Sequence, residues 1–311
     1  MKIITLTLNP AFDIHCECEE FRAFSENLAD ITSKDAGGKG VNISRALIKN
    51  GIENTAYIVL GNENSDEFLG KLEDEGIKFK EFLVSGRIRE NITLHSSKTP
   101  ETRISFSGFS ADDSVIDRIN EKLKKEDLSQ MILTFTGRIP DGISKGYVKS
   151  FLVGLKEKGV KIIVDSKSFD KYDIVEIKPW LIKPNEEEVG LYSDILVKDI
   201  ESAKVAAVGL NKKGIENVIV SLGERGAVFA GYDGVFEIVP PKIKIKSTIG
   251  AGDSMISGFV FGIKKGMAIQ ETLKFAAAFG SAACLREGTN PPEWEEILKI
   301  SEKVEVRKYM L

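Results

Sequence analysis

Apolar runs of strand length alternate with helical patterns along most of this chain, and that rhythm leaves few folds open. Residues 3–8, 56–60, 131–135, 161–165, 181–183 and 218–222 are mostly non-alternating apolar runs, as strands buried on both faces tend to be. Helical patterns at 39–50, 143–158 and 253–265 lie between them and stop at Gly51, Gly159 and Gly266. A helix end favours a left-handed residue at such positions. The βαβ alternation predicts an α/β fold, a doubly wound and mostly parallel sheet with helices on both faces. Near the C-terminus, residues 218–222, 226–230 and 235–239 follow in direct succession, which predicts antiparallel strands at one edge.

Two stretches break the rhythm. Residues 10–36 and about 88–107 hold strand-like pieces (13–18, 91–95 and 102–106) and no helical pattern. They are expected to form a small β-sheet projecting from the main one, placed as a lid over a substrate crevice. No repeat or linker divides the sequence, so residues 1–311 are expected to form a single domain that carries these lid segments.

Composition narrows the partners. A chain of 311 residues can bury about three quarters of its unfolded surface, so its core needs no staples. With 43 basic and 47 acidic residues the net charge is −4, which argues against a nucleic acid held mainly by phosphate neutralisation. No apolar run approaches the roughly 20 residues of a membrane span. The opening Lys2-Ile3-Ile4-Thr5-Leu6 lacks the order of a signal peptide. Three cysteines cannot build a disulfide framework and fit the reducing cytoplasm.

Two glycine-rich junctions carry the chemistry. Ser247-Thr248-Ile249-Gly250-Ala251-Gly252-Asp253-Ser254 opens the third helical pattern. Glycines at a helix start let amides point together at an anion, with the helix dipole behind them. Asp253 then has two readings. It is a good N-cap, or it is a base that takes a hydroxyl proton while the amides hold a transferring phosphoryl group. The second junction is Ala36-Gly37-Gly38-Lys39-Gly40-Val41-Asn42. It is no P-loop, because Gly40 rather than Ser or Thr follows Lys39, and it lacks the dinucleotide spacing. Exposed backbone with Lys39 and Asn42 on the first helical turn suits a polyol or sugar phosphate; a plain glycine turn is the other reading.

Three further segments complete a pattern. Asn9-Pro10-Ala11-Phe12-Asp13 follows the first strand, and Lys183-Pro184-Asn185-Glu186-Glu187-Glu188 follows a middle one. Ser221-Leu222-Gly223-Glu224-Arg225-Gly226 makes a turn in the second half. In order and spacing the five segments resemble the PfkB (ribokinase-like) sugar kinases. The Asn-Pro-Ala-x-Asp opening resembles their branch of 1-phosphofructokinases and tagatose-6-phosphate kinases. The resemblance covers essentially the whole chain.

It implies roles. Asp253 matches the catalytic base, Gly250, Ala251 and Gly252 the anion hole, and Asp13, Gly37, Gly38 and Asn42 the ligands of sugar hydroxyls. Asn185 and Glu188 match a motif that organises magnesium through water, while Ser221, Gly223 and Gly226 match the nucleotide-side turn. The small-residue helix at 276–282, with Ala278 and Ser281, would present adenine with a flat surface. Lys39, Arg89 and Arg103 are candidates to hold a substrate phosphate. Where these kinases usually read Ser-Gly-Ser-Leu-Pro, this chain has Thr136-Gly137-Arg138-Ile139-Pro140. Arg138 thus replaces a phosphate-holding serine and joins the candidates.

The reaction so implied is ATP-dependent phosphorylation of a ketose phosphate in the cytoplasm with magnesium, fructose 1-phosphate going to fructose 1,6-bisphosphate. Tagatose 6-phosphate is the alternative acceptor, and the lid is expected to pair with that of a second subunit. A catalytically silent sugar-phosphate sensor has no need of Asp253, and a dinucleotide oxidoreductase would need the absent glycine fingerprint. His15 and His95 fall on lid pieces without triad partners. Cys16 and Cys18 share a strand face, and Cys284 is expected in the core.

Overall fold

The structure, a computed structural model, describes residues 1–309. Its strands are β1 (Lys2–Thr7), β2 (Ala11–Cys18), β3 (Asp30–Gly37), β4 (Thr55–Gly61), β5 (Phe79–Val84), β6 (Arg89–Ser96) and β7 (Thr102–Ser105). The second half adds β8 (Met131–Thr136), β9 (Lys161–Asp165), β10 (Leu181–Ile182), β11 (Asn217–Ser221), β12 (Ala227–Gly231), β13 (Gly234–Val239) and β14 (Glu305–Lys308). Ten of them make one sheet in the order β14-β13-β12-β11-β10-β9-β8-β1-β4-β5. From β5 across to β11 the pairing is parallel. From β11 to β14 it is antiparallel, as the close succession of the last runs predicts.

Neighbouring residues of one strand show why the runs do not alternate. Ile3 packs in a cluster with Phe259 and Phe279, while Ile4 packs in another with Ile116 and Leu152. Helices Lys39–Lys49, Ala251–Lys264 and Ile269–Ala283 cover the first face; Ser114–Leu123, Lys145–Glu157 and Ile200–Lys212 cover the second. Both faces of the sheet are dry, so both side-chain rows must be apolar. The expected helix ends hold: Gly51 and Gly159 close their helices with φ of 73° and 89°.

The helix-free stretches form the second sheet, in the order β3-β2-β6-β7. Here the side chains do alternate. Phe12, Ile14, Cys16, Ile92 and Leu94 join Phe68 and Leu72 in an apolar cluster. Asp13, His15, Asn91 and Thr93 occupy the opposite face, in register with one another.

The chain runs outward from β1 to β4 and β5, then returns to β8 and runs the other way. That reversal opens a crevice at the carboxyl ends of β1 and β8, where ligands of open α/β sheets bind. The polar face of the small sheet belongs to the same neighbourhood, because β2 leaves the end of β1 after only three residues.

Candidate active site

The helix that carries Asp253 begins at Ala251, with Gly250 as its N-cap at φ 73°. Asp253 is therefore the third residue of the helix and not its cap, which corrects the capping reading. Its carboxylate caps no amide. Oδ2 accepts instead from Asn42 Nδ2 at 2.9 Å. The first amides of any helix lack intrahelical acceptors, and here they open beside Asp253. A Cβ on Gly252 would lie 2.9 Å from Lys183 Nζ, so only glycine lets the lysine approach the helix start this closely.

Asp253 is 6% exposed, and burial pushes its carboxyl up to about 6, with Asp165 adding to the rise. Lys39, the hydrogen bond from Asn42 and Lys183 act in the opposite direction. Asp165 stands at the end of β9 and binds Lys39 Nζ at 2.9 Å. Burial alone would raise its carboxyl, but Lys183 and Lys39 hold it below the ordinary range. Burial disfavours the Lys39 ammonium, yet Asp165, Asp253 and Glu188 raise it above an ordinary lysine.

Lys183 is 4% exposed. Among the described residues it pairs with no carboxylate. The run expected at 181–183 ends as a strand at Ile182, which releases Lys183 towards the cleft.

A second group gathers on the lid. Asn91 Nδ2 donates to Asp13 Oδ1 at 2.9 Å, and Arg89 Nη1 donates to Asn91 Oδ1 at 3.2 Å. A Cβ at Gly37 would run into the Asp13 carboxylate. Burial raises the Asp13 carboxyl, while the Asn91 bond and Arg89 oppose the rise. Burial lowers Arg89, Asp13 raises it, and Arg138 lowers it again. The two guanidinium groups are thus near enough to repel. Arg89 Nε is buried without a partner, and among the described residues Arg138 pairs with no acid.

The cationic candidates separate accordingly. Arg89 and the exposed Arg138 lie within electrostatic reach of one another. Lys39 does not join them, because the buried Asp165 needs its charge. Arg103 lies on the same lid face, in register with Thr93, but is exposed and bound to Glu101 at 2.9 Å.

On the other side of Asp253 a cleft of about 830 Å³ is lined by Ser221, Gly223, Gly226, Gly252, Ala277 and Ser281. Ala278 does not line it. It is fully buried in the core, about 100° round the helix from Ala277. Ala277, Gly280, Ser281 and Cys284 share the cleft-facing stripe. Cys284 accordingly corrects the expectation of a core position: it is half-buried at the cleft wall, and burial raises its thiol.

Asn185 Oδ1 accepts from the amides of Glu187 and Glu188 at 3.0 and 2.8 Å. Glu188 Oε2 accepts from Asn185 N at 3.3 Å, and its Oε1 lies 3.5 Å from Lys167 Nζ. A buried, rigidly held carboxylate with oxygen lone pairs to spare fits a hydrated hard cation held with substrate phosphates.

A buried carboxylate raised to about 6 beside a helix start, with a nucleotide-sized cleft on one side and lid arginines on the other, suits phosphoryl transfer. The sequence model of the pfkB family carbohydrate kinases matches residues 7–296. The chain belongs to that family.

Similarity extends over whole relatives. The kinase is 29% identical to a 1-phosphofructokinase of Haemophilus influenzae, over 98% of this chain and 97% of that protein. It is 31% identical to a tagatose-6-phosphate kinase of Staphylococcus epidermidis, over 98% and 100%. It also superposes on phosphofructokinase-2 from Escherichia coli, crystallised in complex with potassium. The TM-score there is 0.90 at 25% identity, over 97% of this chain and 98% of that one. The enzyme is a phosphotransferase with a sugar hydroxyl as acceptor, and ATP is the donor that a kinase family implies. No helix among the described residues is long and apolar enough to cross a membrane.

Lys183, Asp165 and Asn91 are site residues that motif reading passed over. Lys183 and Asp165 carried one usable signal: a charged residue at the carboxyl end of an otherwise apolar strand. Asn91 carried none, since an asparagine on a lid strand is ordinary.

Proposed function

We propose that this kinase phosphorylates the free primary hydroxyl of a ketose phosphate, fructose 1-phosphate giving fructose 1,6-bisphosphate. The acceptor end of the lid carries the reading: Arg89, its Nε buried without a partner, is tied through Asn91 to Asp13, and the Arg138 guanidinium lies within its electrostatic reach. Two guanidinium groups that repel one another are stabilised by a dianion between them, and a guanidinium grips phosphate through two parallel bonds. Asp13, Gly37, Gly38 and Asn42 take the sugar hydroxyls. Asp253 accepts the proton of the acceptor hydroxyl as that oxygen bonds to the γ-phosphorus and the bond from phosphorus to the departing ADP oxygen breaks.

The amides of residues 250–253 and the Lys183 ammonium hold the charge that develops. Ser221, Gly223, Gly226 and Ser281 line the nucleotide's cleft. Asn185 and Glu188 would hold a magnesium ion through water, whose charge neutralises nucleotide phosphates when bound.

The lid strands work as a cover and as a contact. Ile31 and Ile104 stay exposed on the two edge strands of the lid, as does Phe106 just past the second, and pairing with a second copy would cover them. Sedimentation showing a strict monomer at micromolar concentration would contradict the dimer and leave the cover intact.

Tagatose 6-phosphate is the alternative acceptor, supported by the staphylococcal relative. ADP release measured with fructose 1-phosphate, tagatose 6-phosphate, fructose 6-phosphate and ribose tests the reading. The expected order of kcat/KM puts fructose 1-phosphate first. A higher value for unphosphorylated ribose would refute a phosphate-reading pocket.

A further inference from the structure

A line of side chains leads from the protein surface to Asp253. Asn42 donates from Nδ2 to Asp253 Oδ2 at 2.9 Å and accepts at Oδ1 from Arg45 Nη1 at 3.1 Å. Glu75 grips Arg45 twice, Oε2 accepting from Nε at 2.6 Å and Oε1 from Nη2 at 3.0 Å. Nη2 also donates to the Ala36 carbonyl at 2.6 Å. Every link is short and directional, and Arg45 is buried although it is charged. Asn42 and Arg45 are three residues apart on the helix Lys39–Lys49 and so share a face. Glu75 caps the end of the helix Ser65–Asp74.

The chemistry of the middle link makes Arg45 decisive. The two ends of an asparagine amide are nearly equal in size, but one donates and the other accepts. A guanidinium only donates. With Arg45 in place the carbonyl end must face it, and the NH2 end must face the carboxylate. The opposite orientation would set two acceptors together at Asp253 and two donors together at Arg45.

We propose that Arg45, clamped by Glu75, is a positioning residue for phosphoryl transfer: it fixes the Asn42 amide, keeps a donor on Asp253 Oδ2 and leaves Oδ1 to take the hydroxyl proton. This rests on the reading of Asp253 as the base. The charged groups facing Asp253 are Lys39 on the helix Lys39–Lys49, Asp165 at the end of β9 and Lys183 after β10. None of them is hydrogen-bonded to Arg45, so a change at Arg45 reaches the base through Asn42. A donor bonded to the ionised form favours that form; removing the restraint moves the carboxyl titration upward.

Three variants test the line. Arg45→Met keeps length and burial but removes every donor, Arg45→Lys keeps a charged donor, and Glu75→Gln loosens the clamp from its solvent side. The readouts are kcat and KM across pH, and titration of the Asp253 carboxyl by ¹³C NMR in the ligand-free protein, assigned by its loss in Asp253→Asn. Arg45→Met should lower kcat about 10- to 100-fold, the scale of a misplaced reacting group, with the KM for ATP within about twofold. Its acid limb and NMR midpoint should both rise by roughly half to one pH unit. Glu75→Gln should move both the same way by less, and Arg45→Lys should recover part of the loss. Folded variants with wild-type kcat, acid limb and NMR midpoint would overturn the proposal. If Arg45→Met fails to fold, wild-type values in Glu75→Gln overturn it alone. Full activity in Asp253→Asn would remove the base itself, a separate failure, and the NMR midpoints would still test the line.

Discussion

The two ends of the active site are built on opposite plans. At the transfer end Asp253, Asp165, Lys39 and Lys183 lie within one another's electrostatic reach, Lys39 ion-paired to Asp165 and Lys183 acting on both carboxylates without an ion pair of its own. At the acceptor end Arg89 lies within electrostatic reach of a second guanidinium, Arg138, which disfavours its charge, while Asp13 favours it. The first end is complete before substrate arrives, as electrostatic preorganisation requires. The second is left cationic so that the substrate's own phosphate completes it. Groups at the transfer end should therefore govern kcat for every acceptor, and groups at the acceptor end should govern selectivity between acceptors.

Lys183 gives the largest effect that separates the ends. Lys183→Met should lower kcat about 10²- to 10³-fold, the cost of one missing donor at developing charge, equally for phosphorylated and unphosphorylated acceptors. A loss confined to phosphorylated ketoses would move Lys183 to the other end of the site. Arg138→Ser comes next. Losing a charge-assisted contact should cost about 1.5–3 kcal/mol, or about one to two decades in kcat/KM for phosphorylated ketoses, with weak activity on free fructose nearly unchanged. Equal losses on both acceptors would show Arg138 to be structural. Arg103→Ala should change either parameter less than about twofold, since an exposed ion pair of this kind contributes little. A tenfold loss there would mean that the lid closes further and recruits it.

These contrasts also separate what the sequence makes legible from what it hides. The buried strands are visible because a sheet dry on both faces must be apolar in both rows, and the glycine junctions are visible because close backbone approach tolerates little else. The lid strands β2, β6 and β7 show through the absence of any helical period, whereas β3, mostly polar and buried only at its end, carries no apolar run of its own. The edge strands β5 and β14 escape, being short, partly exposed and without a distinctive pattern. At the site, a motif names a position without fixing its direction. Lys39 stands at a sugar-binding junction yet turns to Asp165, and Ala278 sits in the right helix but on its core side. Arg45 and Glu75 are 30 residues apart, and nothing local joins them. Ordinary charged residues become a clamp only once the fold brings their helices together.

The central claim is that Asp253 is a base held near neutrality by burial, and Asp253→Asn tests it most directly. With fructose 1-phosphate, kcat should fall at least about 10²- to 10⁴-fold, while ATP affinity stays unchanged. The same variant carries a second signature. A carboxyl raised from 3.8 to about 6 on folding binds protons more tightly in the folded state, so this group's own contribution to wild-type stability is fully present below about pH 4. It declines as pH rises through that window. Relative to wild type, Asp253→Asn should therefore gain about 2–3 kcal/mol between pH 4 and pH 7. A variant that keeps near-full kcat, with a stability difference that is flat in pH, would contradict the account.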